Sequence, residues 1–410
     1  MGLKLRELPR KTLLSGRPMS MSMNYLVRTF TPVWFAATMG TGAVSGLFNA
    51  FPYQARAMTI FCLIFWFLNL FIFVLFTGLT IARYALFPKT WSPMIEHPVL
   101  GLYYSCMPMG GTTLINVAVQ VVHGHYHLGG KSFMYTLWAF WWLDVAVSAL
   151  CCWGGVHVMF TKQTHLLSSM TTVWLLPVVT LIVAASSGGV VSLALEPYSP
   201  FLALITTTVS AFIVCIGFSL AFMILTLYLL RLIIHGLPPG ASVLSVFLPL
   251  GPTGQAGYAF LLIGTSYKSL LPVQEGNGSS TFLTSQTTGD FLHMLGISIA
   301  FFLWSLASMW LLFALLAVAH AVQGTRLHFK LTFWGLVFPN GVYANLTINL
   351  AQTFDSSFFR VWGAIYAVGT LLLWIYVTVN TTIKLYNRLI AGPPPPGEIQ
   401  PPVTQRTLPS

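Results

Sequence analysis

Phe247-Leu-Pro-Leu-Gly-Pro-Thr-Gly-Gln-Ala-Gly257 packs two prolines and three glycines into eleven residues. It lies inside a run free of Asp, Glu, Lys and Arg from Leu232 to Tyr267, long enough to cross a bilayer. Each proline deletes a backbone donor and kinks a helix, and each glycine leaves backbone uncovered. In hydrocarbon, loosened backbone persists only where protein covers it or where it lines a watery cavity. The stretch therefore reads as the wall of a pore or binding site, provided that the other apolar runs agree.

Composition sets the class. Of 410 residues, 7% are charged and 56% hydrophobic, and the mean hydropathy is +0.78, a balance that no soluble domain of this size has. The chain is a polytopic membrane protein. Cys62, Cys106, Cys151, Cys152 and Cys215 fall in apolar runs and read as small core residues, with no disulfide framework. Residues 1–31 are basic and polar without an apolar core, so no cleavable signal peptide is expected and the first span directs insertion.

Apolar runs bounded by charges or turn clusters give ten spans, at 32–50, 57–82, 99–122, 132–160, 171–195, 201–230, 241–264, 291–322, 331–353 and 361–383. An even number puts both termini on one side. With that side cytoplasmic, 15 Lys and Arg lie inside and four (Arg56, Lys131, Lys268, Arg360) outside. This positive-inside split explains the net charge of +11 through the lipid surface, without a nucleic acid. The expected organisation is a basic arm at 1–31, an all-α transport domain at 32–388 and a disordered Pro-rich tail at 389–410. A long outer loop at 265–290 carries Asn277-Gly-Ser279, a candidate N-glycosylation acceptor.

The spans alternate. Odd spans carry proline (Pro32, Pro108, Pro177, Pro249 with Pro252, Pro339) and small polar clusters, whereas even spans carry no proline and are rich in Phe, Leu, Ile and Trp. One helical hairpin is thus used five times, with one adapted helix and one greasy helix in each. The economical arrangement sets five adapted helices around a central pore and five greasy ones against lipid. Small residues also let helices pack closely with no transport role, and that reading would suffice for a single span. Its repetition in all five odd spans favours a channel or transporter.

No enzyme constellation appears: no HExxH, CxxC, nucleotide loop or membrane carboxylate pair, and no cofactor or metal is implied. Asp144, in Trp141-Trp-Leu-Asp144, is the one acidic residue deep in a span, either a proton-coupling group or a hydrogen-bonding partner for a neighbouring helix. His123, His125 and His127 alternate as metal ligands on an extended loop would, yet without a Cys or carboxylate nearby they read as a solvated loop. His97 with Pro98 reads as a helix start. The candidate path residues are uncharged: Thr38 and Gly40 in the first span; Thr112, Thr113 and Asn116 within one helical turn in the third; Ser186 and Ser187 in the fifth; Thr253 and Gln255 in the opening stretch. Hydroxyls, amides and helix ends stabilise an anion without trapping it, and a cation path would show more carboxylates. The substrate expected from the residues is a small anion or a neutral species.

In chain order, Trp34-Phe-Ala-Ala-Thr-Met-Gly-Thr-Gly42, Met107-Pro-Met-Gly110, Ile115-Asn116, Trp141-Trp-Leu-Asp144, Thr172-Val-Trp-Leu-Leu-Pro177 and Ala184-Ala-Ser-Ser-Gly-Gly189 come first. Phe247 to Gln255, Phe333-Trp-Gly-Leu-Val-Phe-Pro339 and Phe358-Phe-Arg-Val361 follow. This succession resembles the fungal sulfite efflux pumps of the tellurite-resistance/dicarboxylate transporter family, relatives of the slow anion channels. The resemblance covers the membrane domain and leaves out the arm and the tail. It implies ten helices in five hairpins around a pore, assembly as a homotrimer, and a pore-blocking phenylalanine at the position of Phe338. Asn340 departs from the apolar residue expected after the Phe-Pro pair. The function implied is export of sulfite or bisulfite at the plasma membrane, with both termini cytoplasmic. The alternatives are a malate-type C4-dicarboxylate permease, for which Arg360 is the nearest cationic clamp, and a gated anion channel.

Overall fold

The computed structural model describes residues 27–273, 282–324 and 328–391, which contain helices and no strand. The ten principal helices are α1 (Phe35–Ala50), α2 (Arg56–Leu86), α3 (Cys106–Val117), α4 (Gly130–Ala149), α5 (Leu176–Leu195), α6 (Pro200–His235), α7 (Leu250–Leu270), α8 (Gln286–Gly324), α9 (Val337–Phe354) and α10 (Ser357–Ala391), with a short helical turn at Trp91–Ile95 after α2. Two carry π turns: α3 runs on through Ala118–His123, and α4 through Leu150–Gly154 into Gly155–Thr161. Among the described residues, eight helical stretches are long and apolar enough to cross a membrane. α1 and α9 fall outside that group, and both lie in the buried centre.

Each odd helix begins in the same way. A 3₁₀ segment (Pro32–Trp34, Leu100–Ser105, Thr172–Leu175, Gly240–Phe247, Leu331–Leu336) leads into the α-helix. In α3, α5, α7 and α9 a proline occupies the second or third α position, and Pro32 opens the 3₁₀ turn before α1. There its missing N–H would lack an intrahelical partner anyway. This revises the reading of Phe247 to Gly257 as a broken span: Pro249 and Pro252 start α7, which then runs unbroken for 21 residues.

The odd helices close into a ring. α1 packs on α3, α3 on α5, α5 on α7, α7 on α9, and α9 back on α1. Glycines set these seams. A Cβ on Gly40 would stand 3.0 Å from Val337 Cβ of α9, and one on Gly254 only 3.1 Å from the Tyr343 backbone nitrogen. Helix axes approach this closely only where a side chain is missing.

Each even helix sits outside, in the groove between two neighbours of the ring: α2 against α1 and α3, α4 against α3 and α5, α6 against α5 and α7, α8 against α7 and α9, α10 against α9 and α1. Burial follows. In the most apolar stretch of α2, 11% of residues are buried, against 89% for Thr172–Leu195. Phe67, Phe71, Phe212, Phe302 and Leu372 of the even helices point outward, as apolar side chains do towards lipid. Indole N–H groups, which need acceptors in such surroundings, fasten this layer to the ring. Trp66 donates to Leu114 O (3.0 Å), Trp141 to Ala184 O (2.9 Å), Trp304 to Thr347 Oγ1 (3.0 Å) and Trp374 to Thr41 Oγ1 (3.0 Å).

Candidate functional site

The ring encloses a cavity of about 250 Å³, and every residue on its wall comes from an odd helix. Gly42, Gly46 and Asn49 of α1 line it together with Thr113 and Asn116 of α3, with Gln120 in the π turn beyond. Facing them are Val183 of α5, Gln255 and Tyr258 of α7, and a stripe on α9 from Phe338 through Asn345 and Asn349 to Gln352. That stripe runs from position 338 to position 352, roughly 21 Å of helix at about 1.5 Å per residue. Gln352 at its far end is exposed, whereas Phe338 is 4% exposed. The cavity thus opens at the C-terminal ends of the odd helices and ends at Phe338, beside the junction where 3₁₀ turns pass into α9.

The wall carries no Asp, Glu, Lys, Arg or His. It is built from amides, one phenol, one threonine and small or apolar residues, an uncharged polar lining inside a greasy shell. Of the path candidates read from the sequence, Thr113, Asn116, Gln255 and Phe338 line it; Thr38, Gly40, Thr112, Ser186, Ser187 and Thr253 do not. Thr38 and Gly40 lie in the seams of α1, where Gly110 of α3 abuts the Thr38 hydroxyl.

The hydroxyls are committed to their own helices. Thr38 donates to Phe35 O (2.8 Å), Thr113 to Gly110 O (2.7 Å), Ser186 to Val183 O (2.9 Å) and Thr253 to Pro249 O (2.7 Å). A hydroxyl has one hydrogen, so these groups have none left for an anion. Ser187 is fully buried away from the cavity, and its hydroxyl has no partner. The donors left for a solute are amides and Tyr258. Asn116 is half-buried with its Oδ1 sealed and unpartnered, so its Nδ2 end meets the cavity. Towards the mouth, Asn49 donates to Gln120 Oε1 (3.1 Å) and Asn349 to Asn345 O (2.8 Å).

The sequence reading missed Asn49, Gln120, Tyr258, Asn345, Asn349 and Gln352. For four of them a signal was present: Phe338, Asn345, Asn349 and Gln352 recur at intervals of seven, four and three along α9, and Thr113, Asn116 and Gln120 at three and four along α3 and its π turn. Asn340, the departure noted after the Phe-Pro pair, points elsewhere: it donates to Leu336 O (2.8 Å) and accepts from the Tyr366 hydroxyl of α10 (2.6 Å).

Asp144 lies off the cavity, buried in the seam between α3 and α4, and accepts from the Thr112 hydroxyl (2.7 Å). Thr112 Oγ1 also stands 3.0 Å from Pro108 O. Arg360 pairs with Asp355 at 2.8 Å, both exposed, and is absent from the cavity wall. The histidine triplet divides. His123 ends the π turn of α3, buried with its ring 5.7 Å from that of Tyr198, and only His125 and His127 are exposed, which corrects the single solvated loop expected. Among the described residues no three His, Cys, Asp or Glu side chains are grouped to hold a metal. Asn277, the basic arm to residue 26 and the tail from residue 392 lie outside the described residues.

A greasy outer layer around a ring of five adapted helices, with an uncharged polar cavity inside, defines a membrane transport protein for small polar solutes. The chain belongs to the voltage-dependent anion channel (SLAC1) family, whose profile matches residues 29–382. It is 34% identical to the sulfite efflux pump SSU1 of Arthroderma benhamiae over 358 residues, 87% of this chain and 91% of the relative. It is 24% identical to the Saccharomyces cerevisiae protein of that name over 408 residues, covering 88% and 89% of the two. The malic acid transport protein of Schizosaccharomyces pombe is 22% identical over 351 residues, covering 85% and 77%.

Proposed function

We propose that this protein exports sulfite, as sulfite or bisulfite, across the plasma membrane and so confers sulfite tolerance. The observation that carries the reading is the cavity wall, polar yet without a single charge, in a chain similar over 87% of its length to sulfite efflux pumps. Neutral donors replace part of an anion's hydration but hold it weakly enough to release, as a conducting path requires. All ten helices serve as spans, with both termini cytoplasmic, as the 15-to-4 distribution of Lys and Arg supports. The cavity mouth then faces outward, and Phe338 closes the path towards the cytoplasm. An inside-negative potential drives an anion out at about 2.3 kcal/mol per charge per 100 mV, so no nucleotide or second ion is needed. The protein works as a homotrimer in which each chain carries its own path.

For Asp144 the bond to Thr112 favours a structural role, fastening α4 to α3. An Asp144→Asn protein that keeps the wild-type response to pH supports this role; loss of that response supports proton coupling. A C4-dicarboxylate would call for a cationic clamp, and Arg360 is engaged with Asp355 away from the cavity. Expression in sulfite-sensitive cells tests the main reading: resistance and sulfite release both rise, and a well-expressed protein that changes neither overturns it.

A further inference from the structure

Gln255 is a cavity amide whose orientation a chain of hydrogen bonds dictates. The Ser186 hydroxyl donates to Val183 O (2.9 Å), so towards Gln255 its oxygen can only accept. The group bonded to it must therefore be the Gln255 Nε2 amide, as observed. Ser186 is completely buried and its hydrogen cannot turn to water instead. The other end of the amide, Oε1, has no protein partner and is not sealed off, and Gln255 lines the cavity. Beside Val183, whose carbonyl anchors Ser186, the wall thus presents a carbonyl oxygen, with the Asn116 amide as a donor on the same wall.

A fixed acceptor is an odd fitting for a bare anion. A carbonyl dipole turned towards a halide or a fully ionised oxyanion repels it, whereas an oxyanion that retains one O–H can donate to it. The missing cations act in the same direction. The cost of removing an ion from water grows with the square of its charge, and no Lys or Arg on this wall offsets it for a dianion. We infer that Gln255, held by Ser186, reads the proton on the substrate and that the species carried is the monovalent, protonated oxyanion. This rests on the sulfite-export reading and narrows it to hydrogensulfite in its O–H form. Gln255 is then a specificity-determining residue and Ser186 a positioning residue.

Titratable groups do not supply the same preference from nearby. Tyr258 is the one titratable side chain on the wall; Tyr343 of α9 is buried and bonded to Ser308 of α8 (2.9 Å), and Asp144 is behind α3. On α8, Asp290 and His293 stand near its start, and on α7 Lys268 near its end, while α6 carries Arg231 and His235 in its last turns and Cys215 and Tyr228 before them.

The test uses the full chain in proteoliposomes, with sulfite and chloride fluxes measured side by side from pH 6 to pH 8.5. Wild-type sulfite flux is expected to fall as pH rises through the second ionisation of sulfurous acid, in step with the monoanion. At the acidic end, Gln255→Leu is expected to lose about tenfold of the sulfite-over-chloride preference, the size of one hydrogen bond's discrimination. Ser186→Ala, which frees the amide to turn its N–H groups inward, shifts the ratio in the same direction and carries the test should Gln255→Leu fold poorly. A wild-type flux that rises with the dianion, or folded variants with an unchanged ratio, overturns the inference while export stands. A wild-type protein that moves no sulfite at any pH overturns the export reading itself.

Discussion

Thr253 and Asn116 differ in what their side chains have left to offer. Both looked like anion contacts in the sequence, but the Thr253 hydrogen is committed to Pro249 O, whereas Asn116 turns its amide hydrogens to the cavity. Thr253→Val, nearly isosteric, should therefore leave sulfite flux within about twofold of wild type. Asn116→Leu should lower it about tenfold, the worth of a hydrogen bond to a charged group. Flux in proteoliposomes checks both. Phe338 ends the cavity and is almost completely buried. Phe338→Ala should raise basal anion leak, read as conductance of a variant reconstituted at wild-type density; unchanged conductance would count against a gate.

At the scale of the element, the odd helices are defined by how they begin. The 3₁₀ lead recurs five times, with a proline in the first α turn of α3, α5, α7 and α9 and in the 3₁₀ turn before α1, and His97 shows how one such start is held ahead of the apolar stretch Leu100–His123. Its Nδ1 accepts the backbone N–H groups of Val99 (3.2 Å) and Leu100 (3.1 Å) as the Leu100–Ser105 segment begins. Gln163, from the connection after α4, donates to Ile95 O (2.8 Å) and so ties two connections together. Partial burial lowers the His97 pKa from its ordinary 6.5, and a proton on Nδ1 would face two N–H donors. The unfolded chain therefore takes up the proton more readily. The stabilisation is complete above about pH 6.5 and is lost as pH falls through the lowered value. Melting temperatures in detergent should drop between pH 7.5 and pH 5 in the wild type, with a shallower slope in His97→Asn.

For the molecule as a whole, burial sorts the ten helices into two layers more sharply than hydropathy does. α1 and α9 fall outside the apolar group yet are among the most buried, because they complete the ring and share its cavity. The proposed orientation sets the C-terminal ends of the odd helices outside the cell. In a cysteine-free background, Gln352→Cys at the cavity mouth should react with a membrane-impermeant thiol reagent added externally, and Thr90→Cys, in the connection after α2, should not. The opposite pattern would invert the path and rule out Phe338 as a cytoplasmic-side closure.

Much of this was legible in the chain. Ten apolar runs, the odd-even alternation and the absence of charge at the centre follow from composition and spacing alone, because lipid forces every backbone group into a helix and sets the helix length. The family followed from motifs in order. Which polar residues meet the solute was not legible. Proline and glycine mark both pore walls and helix seams, and at Gly40, Gly110 and Gly254 the structure shows seams. Serine and threonine read as donors until their hydrogens are traced to their own backbones. The amides at Asn345, Asn349 and Gln352 gain meaning only once α9 is seen to close the ring. The sequence by itself determined the solvent, the helices and the neutrality of the path. The tertiary structure decided which face of each helix looks inward and, through Ser186, which end of Gln255 does, since these depend on contacts between segments far apart in the chain.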